Sequence, residues 1–139
     1  MKKVLIFGIG GFVGSYLARE FLNCGYVVWG SDKVKSDLLP AEVQFQEADL
    51  LIAEQVMDLM QKFSPDIVVN LAAISSVGAS WNIPQATISV NVVGALNIME
   101  AARKCSAMPK VMFIGSSEEY AASDAPITEK TPLDANNPY

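Results

Sequence analysis

One stretch decides the fold of this 139-residue chain: Val4-Leu5-Ile6-Phe7-Gly8-Ile9-Gly10-Gly11-Phe12-Val13-Gly14. Its apolar start predicts a strand, and the segment with glycines at positions 8, 11 and 14 opens a helical pattern that begins at Phe12. Such a turn lets a phosphate approach the backbone. A helix N-terminus carries a partial charge of roughly +0.5, which stabilises the phosphate there. The strand–turn–helix setting therefore predicts a dinucleotide-binding turn.

Composition and charge exclude several kinds of partner. Hydrophobic residues make up 51% of the chain and charged residues 18%, which is typical of a domain whose sheet is covered on both faces. The net charge is −5 without a basic cluster, so we expect no nucleic-acid partner. No apolar run approaches the roughly 20 residues that span a bilayer, and the apolar run after Met1 is too short for a secretory signal. We expect no membrane partner, a cytoplasmic location and, because histidine is absent, no metal site.

Strand and helix patterns alternate along the chain. The predicted strands are 3–7, 26–30, 43–46, 67–70 and 110–115, and the predicted helices are 12–24, 52–63 and 84–104. Segments 31–40 and 116–139 are predicted to be loops. This alternation predicts an α/β fold, a doubly wound parallel sheet of Rossmann-like type with order 3-2-1-4-5 and helices on both faces. Such folds usually have a sixth strand, so we expect residues 1–139 to form the first part of one dinucleotide-binding domain.

Two acidic residues after predicted strands are candidate cofactor ligands. Asp32 could accept hydrogen bonds from the adenosine ribose, which favours NAD, or it could be a turn aspartate. Lys33 and Lys35 could tolerate a phosphate, so NADP remains possible. Asp49 and Leu50 lie where adenine is expected, although Asp49 could instead be the N-cap of the helix from residue 52.

Two further segments lie near the predicted cofactor. Leu71-Ala72-Ala73 follows the fourth strand, where small residues either admit a cofactor or simply pack closely. Asn91 needs a hydrogen-bond partner, either backbone near the site or a purely structural one. Residues 84–99 contain no charge, so the helix at 84–104 is predicted to be buried on two sides or to lie in a subunit interface. We expect a homodimer through it.

The segment Gly115-Ser116-Ser117-Glu118-Glu119-Tyr120 ends the fifth predicted strand. A hydroxyl and a carboxylate there could polarise a carbonyl and move a proton, or the segment could be a capped turn.

These segments together resemble the extended short-chain dehydrogenase/reductase family, the NAD-dependent nucleotide-sugar epimerases, dehydratases and reductases. The resemblance rests on Gly8-x-x-Gly11-Phe12-Val13-Gly14, the stretch 65–73, Asn91-x-x-Gly94 and residues 116–120. The stretch 126–133 and Asn137-Pro138-Tyr139 look like the approach to that family's YxxxK motif.

The resemblance implies roles for individual residues. It implies that the dinucleotide is held by Gly8, Gly11, Phe12 and Val13 at the pyrophosphate, Asp32 at the ribose, Asp49 and Leu50 at adenine, and Leu71, Ala72 and Ala73 at nicotinamide. Ser116 matches the hydroxyl that binds the C4 oxygen of the sugar, and Tyr139 matches the tyrosine that exchanges its proton. Glu118 matches a glutamate that removes the C5 proton in dehydratases. The lysine expected four residues after Tyr139 would lie beyond the last residue, so we expect this chain alone to be inactive.

Within the family, the motifs look most like GDP-4-keto-6-deoxy-mannose reductases, with GDP-mannose 4,6-dehydratases close behind and 4-epimerases more distant. The resemblance therefore implies NAD(P)H-dependent reduction of a GDP-hexose at C4, with dehydration or epimerisation as alternatives. A non-catalytic dinucleotide-binding regulator is the alternative from another class.

Overall fold

The computed structural model describes all 139 residues and contains one five-stranded parallel sheet. Its strands are β1 (Lys3–Phe7), β2 (Val27–Asp32), β3 (Gln44–Glu47), β4 (Ile67–Asn70) and β5 (Lys110–Phe113), in the order β3-β2-β1-β4-β5. The helices are α1 (Phe12–Asn23), α2 (Ala53–Phe63), α3 (Val77–Asn82), α4 (Pro84–Ile88) and α5 (Gly94–Arg103). The predicted fold class and strand order are confirmed.

The core lies in two layers, one on each face of the sheet. Alternate side chains of β1 point to opposite faces, so Val4 and Ile6 pack with α1 while Leu5 and Phe7 pack with α2 and α5. All four side chains are buried. A strand buried on both faces has a continuous apolar sequence, and this is why β1 was recognisable.

Lys3 lies at the edge of the sheet at which the strands begin, here called the lower edge, and contacts two neighbouring elements there. Its backbone N–H donates to Asp66 Oδ2 at 2.7 Å, and its ammonium donates to the Phe63 carbonyl at 3.1 Å. The same ammonium lies 5.6 Å from the centre of the Phe63 ring. These contacts join β1, α2 and the start of β4 at the lower edge.

The largest difference between prediction and structure lies in the segment 84–104, which was predicted to be one continuous α-helix. It consists of α4, a π-helical turn at Ser89–Val93, and α5. The π turn contains Asn91, whose side chain is hydrogen-bonded to a neighbouring loop. Hydrophobic periodicity shows the length of such a helix but not a local change in its winding.

Other boundaries differ from the prediction by a few residues. β2 extends to Asp32, so the first two residues of the predicted loop at 31–40 belong to the strand, and β5 ends two residues early. The short α3 was not predicted because it lacks apolar periodicity; it is capped by Ser76, whose Oγ accepts from Ala79 N–H at 3.2 Å. Segment 116–139 contains a 3-10 turn, Ser117–Glu119, and an isolated antiparallel bridge from Tyr120 to Leu133. None of the helices has the length and apolar character that a membrane crossing requires.

Candidate functional site

The glycine turn after β1 depends on two close backbone approaches. Gly8 has φ +76°, and a Cβ there would collide with the backbone of Ala72 after β4. A Cβ at Gly14 would collide with the carbonyl of Ile9, which lies beneath α1. Glycine is therefore required at both positions, at the crevice where the two halves of the sheet diverge.

The N-terminus of α1 faces this crevice with unpaired donors. Gly11 is the N-cap, and no side chain caps the helix. The backbone N–H groups of Phe12 and Val13 have no acceptor within the chain. Free N–H groups at the start of a twelve-residue helix fit an anionic group such as a phosphate.

Two adjoining cavities open at the carboxyl ends of the strands, with volumes of about 770 and 350 Å³. They share Gly8, Gly11 and the stretch Leu71-Ala72-Ala73. The larger cavity also has Phe12, Val13, Asn91, Ser116, Glu118 and Tyr139, and the smaller has Asp32, Lys33, Asp49 and Leu50. The structure thus brings every predicted site residue to one edge of the sheet.

Asp32 is the last residue of β2 and not part of a turn. Its Oδ2 accepts from Gly10 N–H at 2.9 Å, and its Oδ1 accepts from Lys33 N–H at 2.7 Å. These two bonds orient the carboxylate toward the glycine turn. A carboxylate has further acceptor capacity, so it can still receive hydroxyl donors.

Asp49 is not the N-cap of α2, which was one of the two alternatives. The N-cap is Ile52, and Asp49 Oδ1 instead accepts from Leu51 N–H at 2.9 Å in the preceding turn. Its Oδ2 lies 2.8 Å from the ammonium of Lys33. The hydrogen bond from Lys33, followed by that from Leu51, lowers the pKa of Asp49.

Two asparagines tie the helical segment 84–103 to loops of the site. Asn91 Oδ1 accepts from Ile74 N–H at 2.8 Å, and its Nδ2 donates to the Ile74 carbonyl at 3.1 Å. Asn97 Nδ2 donates to the Leu50 carbonyl at 2.7 Å. Of the two alternatives for Asn91, the structure shows the first: Asn91 lines the larger cavity, and its hydrogen bonds go to the backbone of Ile74, which lines the smaller one.

Ser116 fits both alternatives that the sequence left open, a cap of a turn and a hydroxyl in the site. Its Oγ accepts from Glu118 N–H at 3.1 Å and so caps the 3-10 turn, yet the residue also lines the larger cavity. Because a hydroxyl accepts and donates at once, its proton stays free for a second partner. Asn137 Nδ2 donates to Glu118 Oε2 at 3.3 Å, and Tyr139 lines the same cavity.

Sequence reasoning missed Ser31 and Asn137. Ser31 lines the smaller cavity and is 1% exposed, and its Oγ has no hydrogen-bond partner. No signal in the sequence pointed to Ser31, because the residue falls in the predicted loop at 31–40 and only the structure places it in β2. Asn137 could have been noticed only through its position two residues before Tyr139.

A family model described as GDP-mannose 4,6 dehydratase matches residues 5–139. The chain belongs to this family. Similar curated proteins include UDP-glucose 4-epimerase of Bacillus subtilis, 31% identical over 147 residues, and GDP-mannose 4,6-dehydratase of Yersinia enterocolitica, 32% identical over 156 residues. These alignments cover 98% and 100% of this chain but 43% and 42% of the relatives. The chain therefore spans less than half the length of either relative.

Solved structures agree with this assignment. UDP-glucose 4-epimerase from Brucella ovis, in complex with NAD, matches with a TM-score of 0.93 at 29% identity. That match covers 100% of this chain and 43% of the epimerase. The expected resemblance to nucleotide-sugar epimerases and dehydratases is confirmed, and the fold is shared over the whole chain.

Proposed function

We propose that this chain is the cofactor-binding part of a nucleotide-sugar oxidoreductase and that it binds NAD. The observation that carries the proposal is the free N–H pair of Phe12 and Val13, in a crevice that also holds the carboxylate of Asp32. The N–H pair suits a pyrophosphate, and the carboxylate suits a ribose diol. Relatives crystallised with NAD support the choice of cofactor, with NADP as the alternative.

The two cavities suit the two ends of the dinucleotide. We assign adenosine to the smaller cavity, with Asp49 and Leu50 at adenine and Lys33 at its mouth. We assign nicotinamide to the larger cavity, against Leu71-Ala72-Ala73, with Asn91 holding the adjoining loop. When bound, NAD supplies the acceptor or donor of a hydride.

The proton chemistry falls to residues at the end of β5 and beyond. Ser116 would donate a hydrogen bond from its hydroxyl to the C4 oxygen of the sugar and keep its proton, and Tyr139 would give the single proton to that oxygen or take it away. The preferred reaction is reduction of GDP-4-keto-6-deoxy-mannose at C4. The second candidate is 4,6-dehydration, which the description of the matching family model supports. In that reaction Glu118 would be the base that removes the C5 proton. The third candidate is 4-epimerisation.

The first experiment measures NAD+ binding to the chain by calorimetry. Asp32→Asn should weaken NAD+ binding roughly tenfold, the scale of a charge-assisted hydrogen bond. NADP+ binding should fall less, because the substitution also removes a charge that repels the 2′-phosphate. Asp37→Asn, which removes a carboxylate from an exposed residue outside both cavities, is the control. Equal losses for the two dinucleotides would contradict the role of Asp32.

The reaction is tested in a protein that contains this chain and has the full length of the relatives it matches. Loss of reduced-nicotinamide absorbance with GDP-4-keto-6-deoxy-mannose supports the reductase. Turnover of GDP-mannose without net consumption of cofactor supports the dehydratase and contradicts the reductase.

Assembly as a homodimer through the segment 84–104 completes the proposal. Ile88, Leu96 and Met99 lie along this segment and are 49–54% exposed, while Val92 between them lines the larger cavity. An apolar stripe of this kind on a helix is typical of a protein interface.

A further inference from the structure

An ion pair joins two residues that line the smaller cavity. The ammonium of Lys33 lies 2.8 Å from Asp49 Oδ2, and the side chains are 62% and 30% exposed. Asp49 is held independently of the lysine, because its Oδ1 accepts from Leu51 N–H and its own N–H donates to Gln55 Oε1 at 2.8 Å. The flexible partner is therefore Lys33, and Asp49 determines where its charge rests.

The remaining charges around this mouth are not paired in the same way. Asp32 accepts only backbone hydrogen bonds, from Gly10 and Lys33, and makes no ion pair. Lys35 makes no ion pair either. The ammonium of Lys33 thus contacts the carboxylate of Asp49 and not that of Asp32. The carboxylate of Asp32 therefore has no cationic partner.

We infer that Asp49 selects NAD over NADP by holding the Lys33 ammonium away from the ribose 2′ position. A phosphate on that oxygen would meet the carboxylate of Asp32 while the adjacent lysine is held by another carboxylate. This inference rests on the proposed function, since it assumes adenosine in the smaller cavity. It gives Asp49 a role in specificity that is separate from any contact with adenine.

The test compares the affinities of NAD+ and NADP+ by calorimetry in the wild-type chain, Asp49→Asn, Lys33→Gln and the double variant. Both dinucleotides carry the same adenine, so the ratio of their affinities cancels any contact between Asp49 and adenine. Asp49→Asn frees Lys33 and should shift the ratio toward NADP+ about three- to fivefold, the scale of an exposed ion pair. In the Lys33→Gln background the same substitution should leave the ratio almost unchanged.

Two control variants separate this effect from general electrostatics. Asp37→Asn removes one negative charge from the same segment without touching Lys33, and it should not move the ratio. Lys35→Gln should preserve the shift that Asp49→Asn produces.

Three results would overturn the inference. An unchanged ratio in Asp49→Asn shows that the ion pair does not select the cofactor. An equal shift in the Lys33→Gln background shows that the loss of charge acts without the lysine. Failure of the wild-type chain to bind either dinucleotide overturns the proposed function together with this inference, whereas the first two results leave the proposed function intact.

Discussion

The hydroxyl of Ser31 is buried without a partner, and this predicts an unusual effect of substitution. A buried polar group that makes no hydrogen bond loses its hydration without compensation, at a cost of about 1–3 kcal/mol. Ser31→Ala should therefore raise the free energy of unfolding by about 1 kcal/mol, measured by urea denaturation of the ligand-free chain.

Ser80 offers a matched control. It is as completely buried as Ser31, but its Oγ donates to the Val77 carbonyl at 2.7 Å. Ser80→Ala should lower the free energy of unfolding by about 1 kcal/mol. Destabilisation by both substitutions would show that the Ser31 hydroxyl is satisfied in solution.

The two cysteines should differ in reactivity. Burial raises the pKa of the Cys105 thiol, and its Sγ donates to the Ala101 carbonyl at 3.4 Å, whereas Cys24 is exposed. The thiolate is the nucleophile, so a raised pKa leaves less of it near pH 8. Iodoacetamide should modify Cys24 first, as followed by mass spectrometry, and modification of Cys105 should accelerate as the pH rises toward 10. Faster labelling of Cys105 at pH 8 would contradict this.

At the scale of elements, α1 depends on the absence of a side chain at Gly14. The added Cβ would meet backbone, which cannot swing aside as a flexible side chain can. Gly14→Ala should lower the free energy of unfolding by about 3 kcal/mol or more, measured by urea denaturation. Gly78→Ala in α3 meets nothing within 4 Å and should stabilise by about 0.5 kcal/mol. Similar effects at both positions would exclude the steric explanation.

The π turn between α4 and α5 should stabilise the loop that follows β4, through the hydrogen bonds of Asn91 to Ile74. Asn91→Ala removes both hydrogen bonds to Ile74, so it should destabilise the chain by about 1 kcal/mol and speed amide exchange at Ile74. Asn97→Ala loosens a different loop, at Leu50, and should leave exchange at Ile74 unchanged. Hydrogen exchange read by NMR separates the two. Faster exchange at Ile74 in both variants would mean that the helix itself has been disturbed.

Elements with a strong hydrophobic period were predictable from the sequence. β4 has the predicted bounds, and α2 begins within one residue of its predicted start. The helix was recognisable because Val56, Leu59 and Phe63 recur at helical spacing, and the structure buries all three. α3 and the π turn were missed. Their formation depends on contacts with other parts of the chain and on a serine cap, which leave no apolar period in the sequence.

At the scale of the whole molecule, the exposed stripe on the helical segment 84–103 predicts self-association. If the stripe is the dimer interface, Leu96→Glu should convert a dimer into a monomer in analytical ultracentrifugation, because it would bury a charge without a partner. Leu38→Glu changes an equally apolar residue, 73% exposed, outside the segment and should leave the dimer intact. A monomeric wild-type chain at tens of micromolar would contradict the proposed interface.

The candidate site was predictable at this scale because parallel strands end together. Residues as distant in sequence as Gly8, Asp32 and Ser116 meet at one edge once the strand order is known. Pairings between side chains were not predictable. The contact of Lys33 with Asp49 depends on how two loops approach each other, and the unpaired hydroxyl of Ser31 depends on what surrounds it.

The contacts of Lys3 at the lower edge have a practical consequence. β1 carries the chain from that edge to the crevice in five residues, roughly 17 Å at about 3.3 Å per residue. An affinity tag, fluorophore or surface linker joined ahead of Lys3 would therefore emerge at the opposite end of the sheet from both cavities. Immobilised in this way, the chain would present its open crevice to solution, the orientation that a dinucleotide biosensor needs.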